Sequence, residues 1–156
     1  MIILDTNIVS ETMRPQPNAQ VMQWLNAQVA ETLFLTSITL AEIHFGIAAL
    51  PDGKRKQALS TVADGIQQLF KDRILPFDLA AAQAYASLAN QARQHGKGFP
   101  VPDGYIAAIA VANHHIIATR DTAPFLAVGL QVVNPWQDYA MNNGPATELR
   151  LQQTSS

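Results

Sequence analysis

Apolar and polar positions alternate along the chain between two kinds of segment: short unbroken apolar runs, and longer stretches with apolar residues three and four apart. Ile2 to Leu4, Leu33 to Thr36 and Ile116 to Thr119 are runs of the first kind, short enough to be buried strands, and Gln131-Val132-Val133 reads as the last strand. Ile74-Leu75-Pro76-Phe77 is a fifth strand candidate, and its proline predicts an edge position. Helical spacing fills the intervals. Asn18 to Val29 carries Val21, Trp24, Leu25 and Val29 behind a capping Asn18. Ser37 or Thr39 opens a helix with Leu40, Ile43, Ile47 and Leu50 on one face, and Pro51-Asp52-Gly53 stops it. A further helix runs from about Lys54 to about Lys71 with Leu59, Val62, Ile66, Leu69 and Phe70 as its stripe. Asp78 caps an alanine-rich helix to about Gln94, ended by His95-Gly96-Lys97-Gly98. Gly104 to His114 is apolar nearly all round and should be central, and a short turn or helix follows around Ala123 to Val128.

Strands alternating with helices imply an α/β fold: a mostly parallel sheet of four to five strands with helices on both faces. Right-handed crossovers then bring the carboxyl ends of all strands to one edge. Residues 1–137 read as one domain. Residues 138–156 are polar and aperiodic, which predicts a loosely held C-terminal tail.

Composition narrows the class. A chain of 156 residues with 48% hydrophobic and 14% charged residues reads as globular and can bury a substantial core. Its longest apolar run, Tyr105 to Ala112, is far short of the roughly 20 residues of a membrane helix. No basic segment precedes Asp5, so a secretory signal is not expected. The absence of cysteine excludes disulfides and thiolate metal sites and is compatible with a cytoplasmic location. A net charge of −2 argues against a broad, sequence-independent nucleic-acid binder. A local site that uses bound cations can still take a polyanion.

The candidate chemistry lies in the acids. Asp5 ends the first strand and Asp121 follows the fourth, Glu42 lies in the first turns of the helix after the second strand, and Asp103 opens the central helix. Each has a plain structural explanation. Asp5, Asp103 and Asp121 are natural N-caps, and Thr39-Leu40-Ala41-Glu42 matches a capping box. Together they ask for more, because the fold gathers all four near one edge, where like charges repel. Acids collected without basic partners usually need a cation. Oxygen ligands without Cys or His favour Mg²⁺ or Mn²⁺ over zinc. Such ions activate water and stabilise charge on a phosphate, so phosphodiester hydrolysis is the natural chemistry, with one or two ions equally open.

Other features weigh less. His44, His95, His114 and His115 share no ligand spacing, and the last two fall where a helix ends. Arg93, Lys97 and Arg120 are candidates for contact with the phosphates of a polyanionic substrate, with Arg14 more remote, whereas Lys54-Arg55-Lys56 reads as a solvated helix start. Trp24, Phe45 and Trp136 can stack on bases, but their core-like spacing favours packing.

Four ordered motifs carry a family resemblance: Leu4-Asp5-Thr6-Asn7-Ile8; Thr39-Leu40-Ala41-Glu42-Ile43 with Phe45-Gly46-Ile47; Asp103-Gly104-Tyr105-Ile106-Ala107-Ala108; and Ala118-Thr119-Arg120-Asp121. Over about Met1 to Trp136 the chain resembles the PIN-domain ribonuclease toxins of the VapC group. Leu50-Pro51 and Val133-Asn134-Pro135-Trp136 fit the FitB-like branch of that group. The resemblance implies a PIN-like three-layer sandwich. It makes Asp5, Glu42 and Asp103 the acidic metal site, puts Asp121 at a fourth position that varies in relatives, and makes Thr6, Asn7 and Thr119 their polar support. It also implies Mg²⁺- or Mn²⁺-dependent endoribonuclease activity by metal-activated water, as the toxin of a type II toxin–antitoxin system. A homodimer is implied, with a DNA-binding antitoxin that blocks the site and assembles with it on operator DNA. Gly104 departs from the Ala, Ser or Thr more common in relatives, and a glycine there would loosen the helix by somewhat under ~1 kcal/mol. Two other readings compete. One is an inactive PIN-like module that only binds a protein. The other is a strand-end-acid phosphotransfer domain, which Asn7 in place of a second acid and the lack of a phosphate loop disfavour.

Overall fold

The computed structural model describes residues 1–96 and 98–137. The expectations for Lys97 and for the 138–156 tail lie outside the described residues. The order is β1 (Ile2–Leu4), α1 (Thr6–Thr12), α2 (Ala19–Asn26), a turn of 3₁₀ helix, β2 (Leu33–Thr36), α3 (Ser37–Ala48) and α4 (Lys54–Leu69). There follow β3 (Ile74–Leu75), α5 (Leu79–Gln94), α6 (Val101–Asn113), β4 (Ile116–Ala118), α7 (Ala123–Ala127) and β5 (Val132–Val133). The five strands form one sheet in the order β3-β2-β1-β4-β5, with every pairing parallel. β3, followed by Pro76, is an edge as its sequence requires.

Side-chain alternation divides the interior into two cores, one on each face of the sheet. Ile3 and Ile117 turn to the side of α5, α6 and α7. Leu4, Leu33, Leu35 and Ala118 turn to the side of α1 to α4, where Ile8, Val21, Trp24 and Ile43 pack. The result is the expected three-layer sandwich. The strand order reverses between β1 and β4: from β1 the chain proceeds outward to β2 and β3, and from β4 to β5. Such a switch point opens a crevice at the carboxyl ends of the two central strands.

Several local expectations change. A helix, α1, starts directly after Asp5, where the pattern assigned none, because Ile8 and Val9 bury on one side while Thr6 and Asn7 turn to the strand ends. α2 stops at Asn26 and leaves Val29 exposed. Thr36 caps α3, accepting from the Thr39 amide, so neither Ser37 nor Thr39 is the cap and the capping-box reading of Glu42 falls. α6 begins at Val101, with Pro102 in its first turn, so Asp103 lies inside the helix and not at its cap. Asp121 precedes the capping position of α7, which is Thr122. α4 buries only Ala63 along its length; Val62 and Leu69 of its supposed stripe face outward. Phe45 is 77% exposed and not packing, whereas Trp24 is core.

Gly104 has a packing reason to be glycine. A β-carbon there would come within 3.0 Å of Tyr85 Cε2, and the Tyr85 ring fills that space as α5 packs on α6. The missing side chain permits the contact.

Candidate active site

The site forms where β1 and β4 end, and it is assembled from hydroxyls and amides. Asp5 is 4% exposed and caps α1: its Oδ1 accepts from the Thr6 amide at 2.8 Å. Its Oδ2 accepts from Thr119 Oγ1 at 2.7 Å. Asp5 therefore caps a helix and supplies a site carboxylate at once, and the two readings of it are compatible. Thr119 is fully buried, and its hydroxyl also accepts from Asn7 Nδ2 at 3.1 Å and from the Asp121 amide at 3.2 Å. Asn7 Oδ1 in turn accepts from the Arg120 amide at 3.2 Å. A single buried hydroxyl thus ties β1 to the loop that carries Asp121.

Glu42 is held from the other side. Thr6 Oγ1 donates to Glu42 Oε1 at 2.7 Å and lies within hydrogen-bond distance, 3.1 Å, of Thr39 Oγ1. Thr39 is wholly buried. Its supporting role was missed in the sequence, where it read as a helix opener. The available signal was a polar residue at a position whose neighbours along the helix are apolar. Asp103 approaches from the first turn of α6, where the helix dipole favours a carboxylate.

The electrostatics join the four acids. Burial raises the Asp5 pKa above its usual value, against the pull of its Thr119 and Thr6 hydrogen bonds, and Glu42 and Asp121 push it further up. Asp103 is raised to about 6, first by burial and then by Asp5, Glu42 and Asp121. Among the described residues neither Lys nor Arg forms an ion pair with any of the four, since the two ion pairs join Arg14 to Glu11 and Lys56 to Asp52. This is concentrated, uncompensated negative charge.

Such a donor set fits a hard divalent cation by its chemistry. Among the described residues, no three carboxylate and imidazole groups close on one point as a finished ligand cage. Mg²⁺ does not require one, because it keeps several waters and takes one or two carboxylates.

The candidate RNA contacts separate. Arg93 ends α5 and lines a recess with Tyr85 and Phe99. Arg120 lies over the Trp136 ring, 5.2 Å from its centroid. The histidines stay apart from the acids: His44 bonds Gln67, His115 packs on Phe34, and His114 takes the left-handed conformation that ends α6. Beside Glu42 and Thr6 an apolar groove of about 710 Å³ runs between α1, α3 and α4, walled by Met13, Ile43, Ile47, Leu59 and Val62, with Arg14 and Arg55 also on it.

Comparison with known proteins agrees with this fold. The model of the PIN domain matches residues 2–129. The chain is 48% identical over 138 residues to VapC ribonuclease Y4jK of Sinorhizobium fredii, covering 88% of this chain and 99% of that one. It is 46% identical over 139 residues to Toxin FitB of Neisseria gonorrhoeae, covering 88% of this chain and all of the relative, 100%. Among solved structures, FitAB bound to an IR36 DNA fragment superposes with a TM-score of 0.84 at 46% identity, covering 88% and 96% of the two chains. The chain belongs to the PIN-domain family, in its VapC group and FitB-like branch.

Proposed function

We propose that this chain is a divalent-metal-dependent endoribonuclease, the toxin of a type II toxin–antitoxin pair, with Asp5, Glu42, Asp103 and Asp121 as its acidic centre. The observation that carries this is the four-acid cluster at the switch point, buried enough to raise Asp103 to about 6 and without a basic partner among the described residues. The names of the relatives, a VapC ribonuclease and a toxin, support the same reading. A bound Mg²⁺ or Mn²⁺ would offset the acids, withdraw charge from a phosphate and make water a better nucleophile. The chain's own part is orientation. Thr119 and the Thr6 amide fix both oxygens of Asp5, and the Thr6 hydroxyl fixes one oxygen of Glu42. These contacts leave Glu42 Oε2 and the carboxylates of Asp103 and Asp121 for an ion, its waters and the substrate.

The apolar groove that ends at Glu42 suits an amphipathic segment of an antitoxin, which would cover the centre by lying in it. The DNA-bound FitAB relative supports an assembly of the toxin and its partner on operator DNA. Exposed Phe45 and Leu69 suit a homodimer contact. No helix among the described residues is long and apolar enough to cross a membrane, and a cytoplasmic location belongs to the same proposal.

The test is cleavage of total RNA by the purified chain freed of partner, with Mg²⁺, with Mn²⁺ and with chelator, beside Asp5→Asn. Cleavage that needs the metal and is lost in the variant is the expected outcome. Equal cleavage by Asp5→Asn would overturn the site assignment. The competing protein-binding module predicts neither cleavage nor metal binding.

A further inference from the structure

Of the four acids, only Asp121 lines a second recess, of about 400 Å³, which shares no lining residue with the apolar groove. Phe99, Pro124, Ala92, Ala123 and Ala127 form its remaining surface with Gly98. Its volume lies at the lower end of small-ligand pockets, roughly 300–1,000 Å³. Its wall is apolar, and a carboxylate that no side-chain hydrogen bond or ion pair occupies among the described residues closes one side. Phe99 is held in place from behind by the Phe125 ring, 6.0 Å away between centroids. A third recess shares Phe99 and Gly98 and continues to Arg93, which forms no ion pair among the described residues.

This sequence of features matches the chemistry of a single RNA strand. Unstacked bases seek flat apolar or aromatic walls, and their edges seek hydrogen-bond partners. Cations such as Arg93 take phosphates. We propose that the recess between Phe99 and Pro124 receives one nucleobase of single-stranded RNA beside the scissile phosphate. Its donor edge faces the Asp121 carboxylate, which in this arrangement receives the base and leaves the ion to Asp5, Glu42 and Asp103, and the next phosphate lies toward Arg93. The proposal deepens the ribonuclease reading and rests on it for the identity of the ligand. An ionised carboxylate only accepts hydrogen bonds. Guanine offers it two adjacent donors, N1–H and N2–H₂, whereas cytosine and adenine offer an exocyclic amine alone. Uracil flanks its single N–H with two carbonyls that repel the carboxylate. Guanine is therefore the preferred base.

The experiment uses the four ribonucleoside 5′-monophosphates, which have no diester to cleave, and the full chain labelled at its alanine methyls. Guanosine monophosphate should shift the Ala92, Ala123 and Ala127 methyls and bind several-fold more tightly than the uridine nucleotide. Ala127→Phe fills the recess from an exposed helix position, so the fold is kept. It should weaken guanosine monophosphate by about tenfold, the scale of one lost base stack, and flatten base preference at the mapped cleavage sites. Methyls that stay unmoved by all four nucleotides, equal affinity for the guanosine and uridine forms, or an Ala127→Phe protein with unchanged affinity each overturn the proposal. If metal-dependent cleavage of RNA persists in that case, the nuclease reading stands alone. If nucleotides bind as expected but no RNA is cleaved, the base recess stands and the nuclease reading falls.

Discussion

Thr119→Val tests the arrangement at its most connected point. The substitution keeps shape and burial and removes one hydroxyl. That hydroxyl donates to Asp5 Oδ2 at 2.7 Å and accepts from Asn7 Nδ2 at 3.1 Å and the Asp121 amide at 3.2 Å, in a residue with no exposed surface. A hydrogen bond to a charged group contributes about 1.5–3 kcal/mol, and a buried donor left without a partner costs about 1–3 kcal/mol. Asn7 and the Asp121 amide lie nearer the surface and recover water, so the lower halves of both ranges apply. The sum is about 3 kcal/mol, or about 10 °C in Tm for a domain of this size. The loss should depend on pH in a defined sense. Thr119 stabilises the ionised form of Asp5, whose pKa burial has raised. The penalty is therefore full at pH 8 and shrinks as the pH falls and Asp5 takes up a proton. The assay is urea unfolding of wild type, Thr119→Val and Thr119→Ser at pH 5 and pH 8, with Ser expected to retain most of the stability. A Val variant within about 0.5 kcal/mol of wild type at pH 8 would refute the claim that this hydroxyl holds the site together.

Other outcomes follow from the same contacts. Gly104→Ala should destabilise by about 1–2 kcal/mol despite the better helix propensity of alanine, because its methyl meets Tyr85 Cε2 at 3.0 Å; combining it with Tyr85→Leu should remove most of the loss in thermal melts. His114→Gly should stabilise by about 0.5–1 kcal/mol, since His114 ends α6 at φ 57°, and an unchanged or lower urea midpoint would contradict this. Without divalent cation, Asp103 with its pKa raised to about 6 binds protons more tightly folded than unfolded. The metal-free protein should therefore lose stability as the pH rises from about 4 to 6 and hold level above. Mg²⁺ should raise Tm at pH 8 and do so progressively less below pH 6, and a Mg²⁺ effect independent of pH would argue against Asp103 as a ligand.

The fold was legible in the sequence because its strands are buried on both faces. Ile2–Leu4, Leu33–Thr36 and Ile116–Ala118 are apolar runs too short for helices, and they lie exactly where the sheet forms them save for a residue at one end. Elements that depend on tertiary contact were not. α1 has only seven residues, below the length at which periodicity can be read, and it exists because Asp5 caps it while Ile8 and Val9 reach the core. The caps misled for a related reason. Ser, Thr and Asp are frequent caps, so local preference placed Thr39 and Asp103 at helix starts, whereas Thr36 and Pro100 hold those positions. The acids themselves were visible from topology, since strand ends converge in a parallel sheet. The part of Thr39 was not, because its hydroxyl reaches Thr6 only when α1 and α3 meet; Thr6 and Thr119 were legible through the family resemblance alone.

That division bears on how the site works. Asp5 and Glu42 are held by hydroxyls and an amide and not by basic side chains. Arg or Lys in those places would neutralise the acids permanently and stabilise the fold, but it would also occupy the oxygens a cation needs. Hydroxyl donors orient a carboxylate through one lone pair each and leave its charge in place. The cost is visible in the raised pKa values of Asp5 and Asp103. On the proposed reading a bound cation would recover the stability given up at this strand-end cluster, so folding and metal binding would be coupled through the acids that hold it. Replacing Thr6, which is only half-buried and borders the open groove, by a cationic residue should accordingly give a more stable protein that no longer binds Mg²⁺. Stability gained together with retained metal binding would show that the hydroxyls were not chosen to keep the charge free.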